Sequence, residues 1–258
     1  MSLEVIYKMM NETIKMKTYD EYKDSGIDWI GEIPKGWEIK RIKFISSSLD
    51  DGDWVESKDQ VENGEYKLIQ LKNIGEGKII KTIDKSINKK FFEKNNCREI
   101  TDGDLLIARI PEPILRCSIF NKNRFPNSIS VVDATIITLK KEYYNKFVEY
   151  YFNSHYSKSI GSLLMYGATR QRISRTNISN MNIFLPSLKQ QEQIVDYLDN
   201  QTQKIDKLIG NTQNQINKLK EYEKSLINRV VKKGLDNNVE LKDSNIKWIG
   251  EIPKHWEV

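Results

Sequence analysis

The stretch Tyr166-Gly167-Ala168-Thr169-Arg170-Gln171-Arg172-Ile173-Ser174-Arg175 is the part of this sequence best equipped for chemistry on a partner. A guanidinium is a planar fork of donors that matches two acceptors on a guanine edge or on a phosphate. Gln and Asn pair bidentately with adenine, while Lys mostly finds phosphate. The stretch lies in a 42-residue window, Tyr150 to Gln191, that has no Asp or Glu but holds Lys158, Arg170, Arg172, Arg175 and Lys189. Phosphates repel carboxylates, so an acid-free, Arg-bearing window suits a polyanion. The same composition also fits a mildly basic solvated face. The candidate contacts are Tyr166, Thr169, Arg170, Gln171, Arg172 and Arg175 in this loop. Further candidates are Arg109 and Arg116, which bracket Pro111 and Pro113, and Lys122, Asn123 and Arg124 before Pro126. Lys72 and Asn73, after a predicted strand, complete the set.

Catalytic patterns are missing from the sequence. Gly77-Lys78 is followed by Ile79 and not by Ser or Thr, so no phosphate-cradling loop is read there. No amino-methyltransferase Asn/Asp-Pro-Pro-Tyr run or Gly-rich cofactor loop occurs. Glu56-Ser57-Lys58 and Glu76-Gly77-Lys78 have nuclease-like Glu-x-Lys spacing, but no upstream Pro-Asp accompanies either. His155 and His255 are isolated, and Cys97 and Cys117 have no metal-ligand spacing. No metal site is expected, and Asp102-Gly103-Asp104 reads as a turn before a strand.

The elements that must hold these groups follow from periodicity. Strands are expected at Tyr66–Leu71, around Ile79-Ile80 and Ile83, after the turn at Leu105–Ala108, at Ser130–Val132, at Ala134–Leu139 and at Asn182–Pro186. A helix is expected from Tyr143 to Ser154. Together they predict a compact α+β domain. From Lys189 to Lys233 there is no Pro and one Gly, and heptad spacing places Val195, Leu198, Ile205, Ile209, Ile216, Leu219, Leu226 and Val230 on one seam. Gly234 is placed to end that helix. A helix of this length, roughly 65–70 Å at 1.5 Å per residue, outruns a small domain. Its seam therefore needs a second helix, unless it is a core helix broken near Gly210. No apolar run reaches the ~18 residues of a membrane span, and no secretory leader is visible.

One repeat sets the organisation. Lys23–Ile39 and Lys242–Val258 are identical at 13 of 17 positions, including both Trp residues and the Pro. The expected divisions are a tail at 1–22, a recognition domain at 23–186, a spacer helix at 187–234, and a linker with the opening of a second repeat at 235–258. Each Trp-Ile-Gly-Glu-Ile-Pro block reads as an extended, aromatic-anchored scaffold segment.

Four segments resemble the DNA-specificity (S) subunit of type I restriction–modification systems. They are Lys23–Trp37, Thr101–Arg109 with its Gly103-Asp104-Leu105-Leu106 turn, Gly167–Ile173, and Leu185–Asp199 continuing to Asp206. The resemblance covers nearly everything beyond residue 22. It departs in having one recognition domain and one helical region where the family has two of each, and in Ser187 where a second Pro is usual. It implies a cytoplasmic, non-catalytic reader of half of a split site on double-stranded DNA. This reader would be a globular α+β target recognition domain followed by one long coiled-coil-forming helix. It also implies docking onto methyltransferase subunits, with restriction subunits joining the complex. S-adenosylmethionine, ATP and Mg would then act in those partner chains and no cofactor in this one. A half-length subunit is expected to pair with itself through the helix and to read an interrupted palindrome. The alternatives are an assembly module or recombination cassette with little DNA affinity of its own, and one half of an ordinary two-reader subunit.

Overall fold

The computed structural model describes residues 19–27, 30–80, 82–167, 171–236 and 238–257. They form two units that meet between Asp196 and Tyr197. The strands of the first unit are β1 (Tyr22–Asp24), β2 (Glu32–Pro34), β3 (Glu38–Arg41), β4 (Ser46–Asp51), β5 (Tyr66–Ile69), β6 (Ser86–Ile87), β7 (Leu105–Ala108), β8 (Cys117–Ile119), β9 (Ser128–Ser130), β10 (Ala134–Leu139) and β11 (Asn182–Leu185). Its short helices are α1 (Ile42–Ile45), α2 (Lys89–Lys94), α3 (Asn145–Asn153), α4 (His155–Leu163) and α5 (Arg175–Asn180). The long helix α6 (Leu188–Lys233) starts in this unit, and β12 (Leu241–Asp243) and β13 (Glu251–Pro253) follow it in the second. The class is α+β with a long C-terminal helix, as the periodicity indicates.

The centre is an antiparallel sheet in the order β4-β10-β7-β8. Side chains alternate faces along a strand, and both faces of this sheet are covered. Leu105, Ile107, Ile137 and Leu139 point into one core, where Phe147, Val148 and Phe152 of α3 and Ile178 of α5 meet them. Leu106, Ala108, Ala134 and Ile136 point into the other, closed by Ile69, Ile74, Ile79, Ile100 and Phe120. Double burial is why these strands read as unbroken apolar runs. A smaller sheet, β6-β5-β9, pairs β5 with β9 in parallel, and β11 pairs with β3.

Several strand boundaries differ from the expectation. The strand from Tyr66 ends at Ile69, and Leu71–Asn73 turn into a 3-10 helix stapled by Gln70 and Asn73. Ile79 makes only an isolated bridge to Ile74 and packs as a buried loop residue. The strand expected at Ser130–Val132 is β9, three residues ending at Ser130. Beyond it the backbone turns, with Ala134 N–H donating to the Val131 carbonyl at 2.9 Å.

The repeated segment is a hairpin built twice. Tyr22↔Pro34, Lys23↔Ile33 and Asp24↔Glu32 are matched by Leu241↔Pro253, Lys242↔Ile252 and Asp243↔Glu251. The turns repeat bond for bond: Gly26 N–H donates to Asp24 Oδ1 at 2.9 Å, and Asn245 N–H to Asp243 Oδ1 at 2.9 Å. Lys35–Glu21 and Lys254–Glu240 ion pairs close both hairpins at 2.8 Å. Trp37 packs edge-on against Tyr19 and lines a hollow with Gln190 at the start of α6, a scaffold position. Trp29 lies outside the described residues. In the second unit, Gly234 (φ +75°) ends α6 and donates to the Val230 carbonyl at 2.8 Å. The helix runs unbroken through Gly210.

Both thiols are buried. Burial, with help from the neighbouring Asp53 carboxylate, pushes Cys97 up to about 11, and burial also raises Cys117. At pH 8 about one Cys97 in a thousand is thiolate, the nucleophilic form. The folded protein is therefore expected to resist iodoacetamide at pH 8 and to label both thiols in denaturant. Labelling at equal rates in both states would contradict this burial.

Candidate nucleic-acid interface

The loop that carries the best candidates has a fixed base. Tyr166 and Arg172 exchange both backbone hydrogen bonds at 3.0 Å, an isolated bridge at the loop's base. Below it, Ile173 is fully buried and its N–H donates to the Arg109 carbonyl at 3.0 Å. Ser174 then caps α5 by accepting from Asn177 N–H at 3.0 Å. The sequence thus fixes the C-terminal end of the loop twice, in the core through Ile173 and in a helix cap through Ser174. Gln171 is exposed and the Tyr166 ring half-exposed. Thr169 and Arg170 lie outside the described residues.

Arginines converge beneath this loop, at the sheet end where β4 finishes, β7 finishes and β10 begins. Arg109 is only 8% exposed. Its Nη1 lies 3.3 Å from Asp51 Oδ1, its Nη2 donates to the Val132 carbonyl at 2.7 Å, and its Nε has no hydrogen-bond partner among the described residues. Arg175 Nε approaches the other Asp51 oxygen at 3.9 Å, and Arg172 Nη1 approaches Asp133 Oδ1 at 3.7 Å. The side chains of Arg172 and Arg175 are about half exposed, 49% and 47%. A cleft of about 440 Å³ continues from Arg175 along the free edge of β4, lined by Lys43, the Ser46–Asp50 run, Thr176 and Ser179. Neither aspartate stood out in the sequence, because each meets its arginine across the fold.

The structure does not bring the other candidates to this surface in the same way. Arg116 is spent on the scaffold: Nε donates to the Ile74 carbonyl at 2.8 Å, Nη2 to Leu71 at 3.1 Å and Nη1 to Pro113 at 3.0 Å. Burial lowers its pKa. Asn73 is fully buried. Its Oδ1 accepts from Gln70 N–H at 3.0 Å and its amide donates to the Ile80 carbonyl at 3.4 Å, so it staples a loop and has no free edge for a base. Lys72 is exposed and pairs with Asp84 at 2.8 Å. Lys122, Asn123 and Arg124 follow β8 at the opposite end of the sheet. The register sets this: Leu105↔Ile119 is the far end of the ladder whose near end is Ala108↔Ala134. There Lys122 pairs with Glu99 at 3.0 Å and Arg124 lies over the Phe125 ring.

The Gly103-Asp104-Leu105-Leu106 segment is structural. Asp104, 1% exposed, accepts from Thr101 N–H at 2.9 Å, from the Thr138 hydroxyl at 2.6 Å and from Arg98 Nη2 at 3.4 Å. Arg98 also binds Asp50, Ser48 and the Thr138 hydroxyl. Four chain segments meet at this buried charge, and β4, β7 and β10 are held in one register by it.

On α6, Val195 is buried in the recognition core and Gln191 donates to the Pro186 carbonyl at 2.9 Å. Val195 is therefore not available to a helix seam. Leu198 and Val230 are half-buried, while Ile205, Ile209, Ile216, Leu219 and Leu226 are exposed, Ile209 and Leu219 by 62% and 67%. Among the described residues, no helix is long and apolar enough to cross a membrane.

Fold and site together define a class: an α+β recognition domain whose outward chemistry is donation from guanidiniums and amides, followed by a long helix. The type I restriction modification DNA specificity domain family matches residues 34–218, and the chain belongs to that family. It is 28% identical over 243 residues to the type I restriction enzyme MjaX specificity subunit of Methanocaldococcus jannaschii, covering 89% of this chain and 52% of that relative. It is 24% identical over 225 residues to the MjaVIII specificity subunit of the same organism, covering 86% and 51%. The fold matches a chain from a structural study of complex assembly and conformational transition in the type I R-M system, with TM-score 0.63, 19% identity, and 90% and 52% coverage. It also matches the HsdS subunit of Thermoanaerobacter tengcongensis, with TM-score 0.55, 18% identity, and 88% and 50% coverage. The chain spans about half the length of these relatives.

Proposed function

We propose that this chain is a non-catalytic, cytoplasmic DNA reader that recognises one half of a split double-stranded site. It pairs with a second copy through α6 to read an interrupted palindrome, and docks methyltransferase subunits that restriction subunits then join. S-adenosylmethionine, ATP and Mg act in those partners. The observation that carries the reading is the convergence of Arg172 and Arg175 beneath a core-anchored loop, in a chain of the DNA specificity family. Tyr166, Gln171, Arg172 and Arg175, with Thr169 and Arg170 between, form the reading surface. Arg109 supports it from below, and the cleft beside β4, with Lys43, receives the DNA backbone. Phosphate contacts position the domain while base edges specify it.

The test is retention of a DNA duplex by the chain together with methyltransferase subunits. Each guanidinium that reads a guanine is worth ~1–3 kcal/mol. Arg170→Ala with Arg172→Ala is therefore expected to abolish retention, a loss of at least about thirtyfold, while sedimentation still shows a pair. Unchanged retention would move the reading surface elsewhere. The exposed aliphatic stripe on α6 favours the second reading, an assembly module that captures methyltransferase subunits with little DNA affinity. Capture of those subunits with no DNA retention by the complex would favour it.

A further inference from the structure

A surface that reads DNA gains from arginines, yet here two aspartates sit among them. Asp51 holds both buried Arg109 and half-exposed Arg175, and Asp133 faces Arg172. Both acids lie at the same sheet end, Asp51 closing β4 and Asp133 immediately preceding β10, and Thr135 Oγ1 lies 3.4 Å from Asp51 Oδ1. Among the described residues, three guanidiniums face two carboxylates, which leaves this part of the cluster only weakly positive.

We propose that Asp51 and Asp133 form a charge filter that lets Arg172 and Arg175 bind neutral base-edge acceptors but not phosphate. The inference rests on the DNA-reading function. The outer pairs are long, at 3.9 and 3.7 Å, and their arginine side chains are half exposed while Asp51 and Asp133 are 29% and 15% exposed. An acceptor that reaches the exposed guanidinium at ordinary hydrogen-bond distance replaces so long a contact. A phosphate that approaches Arg172 or Arg175 also approaches a carboxylate, and the repulsion offsets the attraction. The O6 and N7 of guanine carry no net charge. They accept from the same forks without that penalty, while each aspartate keeps its fork aimed. Random DNA, held through phosphates alone, is weakened and a cognate edge is not. Arg109, anchored to the Val132 carbonyl, fixes Asp51 from below.

The experiment uses the full chain with methyltransferase subunits. A cognate duplex is first enriched from a random pool by the wild-type complex. Asp133→Asn is then compared with wild type on that duplex and on a random duplex over a range of salt. Expected is about fivefold tighter binding of random DNA, a log-log salt slope steeper by roughly one, and a reduced cognate-to-random ratio. Gained affinity at an unchanged Tm and circular dichroism spectrum separates a filter from a merely structural acid. Asp51→Asn is expected to reduce the ratio too, with a lower Tm because buried Arg109 loses its carboxylate. Parallel weakening on both duplexes, or an unchanged ratio in Asp133→Asn, overturns the filter alone. Failure of the wild-type complex to enrich any sequence overturns the reading beneath it.

Discussion

Ile209→Glu with Leu219→Glu is expected to convert a pair of chains into monomers. Helix α6 has 46 residues, and its heptad stripe from Ile205 to Leu226 lies open to solvent. Covering an exposed aliphatic side chain contributes about 1.5–3 kcal/mol. An antiparallel pair covers each of Ile205, Ile209, Ile216, Leu219 and Leu226 twice, enough to hold micromolar chains together after the cost of association. Two glutamates per chain place four carboxylates in the seam, each losing its hydration without a partner. The helix itself should survive, since Glu is a good helix former and Gly210 already sits there without a break. Circular dichroism should therefore stay unchanged while sedimentation moves from dimer to monomer. DNA retention with methyltransferase subunits should fall as well, because one reader then engages one half-site. A wild-type chain that sediments as a monomer at micromolar concentration removes self-pairing, and the stripe then belongs to a different partner.

What could be read in advance follows the range of the interactions. The helical span of α6, its end at Gly234 and the run Ala134–Leu139 depend on neighbours a few residues away, and the structure places them as the periodicity does. The hairpin repeat was visible because it preserves side chains, and it proves to preserve register and turn bonds too. The site was legible only in outline. Arg116 and Asn73 have the residue types of base readers, but type does not give direction, and both turn inward to hold loop carbonyls. Lys122, Asn123 and Arg124 fall at the far end because the β7–β8 ladder reverses the chain. Asp51 meets Arg175 from more than a hundred residues away, beyond any local pattern. Short helices α2, α4 and α5 did leave a local signal in their caps Asn88, Ser154 and Ser174.

Arg98→Ala is expected to destabilise the recognition unit by about 3–5 kcal/mol, the usual cost of stripping one partner from a buried ion pair. Asp104 has no exposed side-chain surface. Without Arg98 its carboxylate keeps only the Thr101 N–H and the Thr138 hydroxyl. The Ser48 and Thr138 hydroxyls lose a donor as well. At roughly 2–4 °C per kcal/mol for a domain of this size, the melting temperature should fall by about 10 °C. Lys72→Ala removes a shorter pair, with Asp84 at 2.8 Å, but on the surface. Exposed pairs are worth at most ~1 kcal/mol, so that variant should melt within a few degrees of wild type. Equal shifts in the two variants would show that the Arg98–Asp104 contact is no more than a surface pair. A large shift for Arg98 alone would assign the Gly103-Asp104-Leu105-Leu106 turn a structural role. The turn seats a charge where β4, β7 and β10 cross, and the far ends of those strands carry Asp51, Arg109 and Asp133. Register fixed at one end of the sheet places Asp51, Arg109 and Asp133 together at the other.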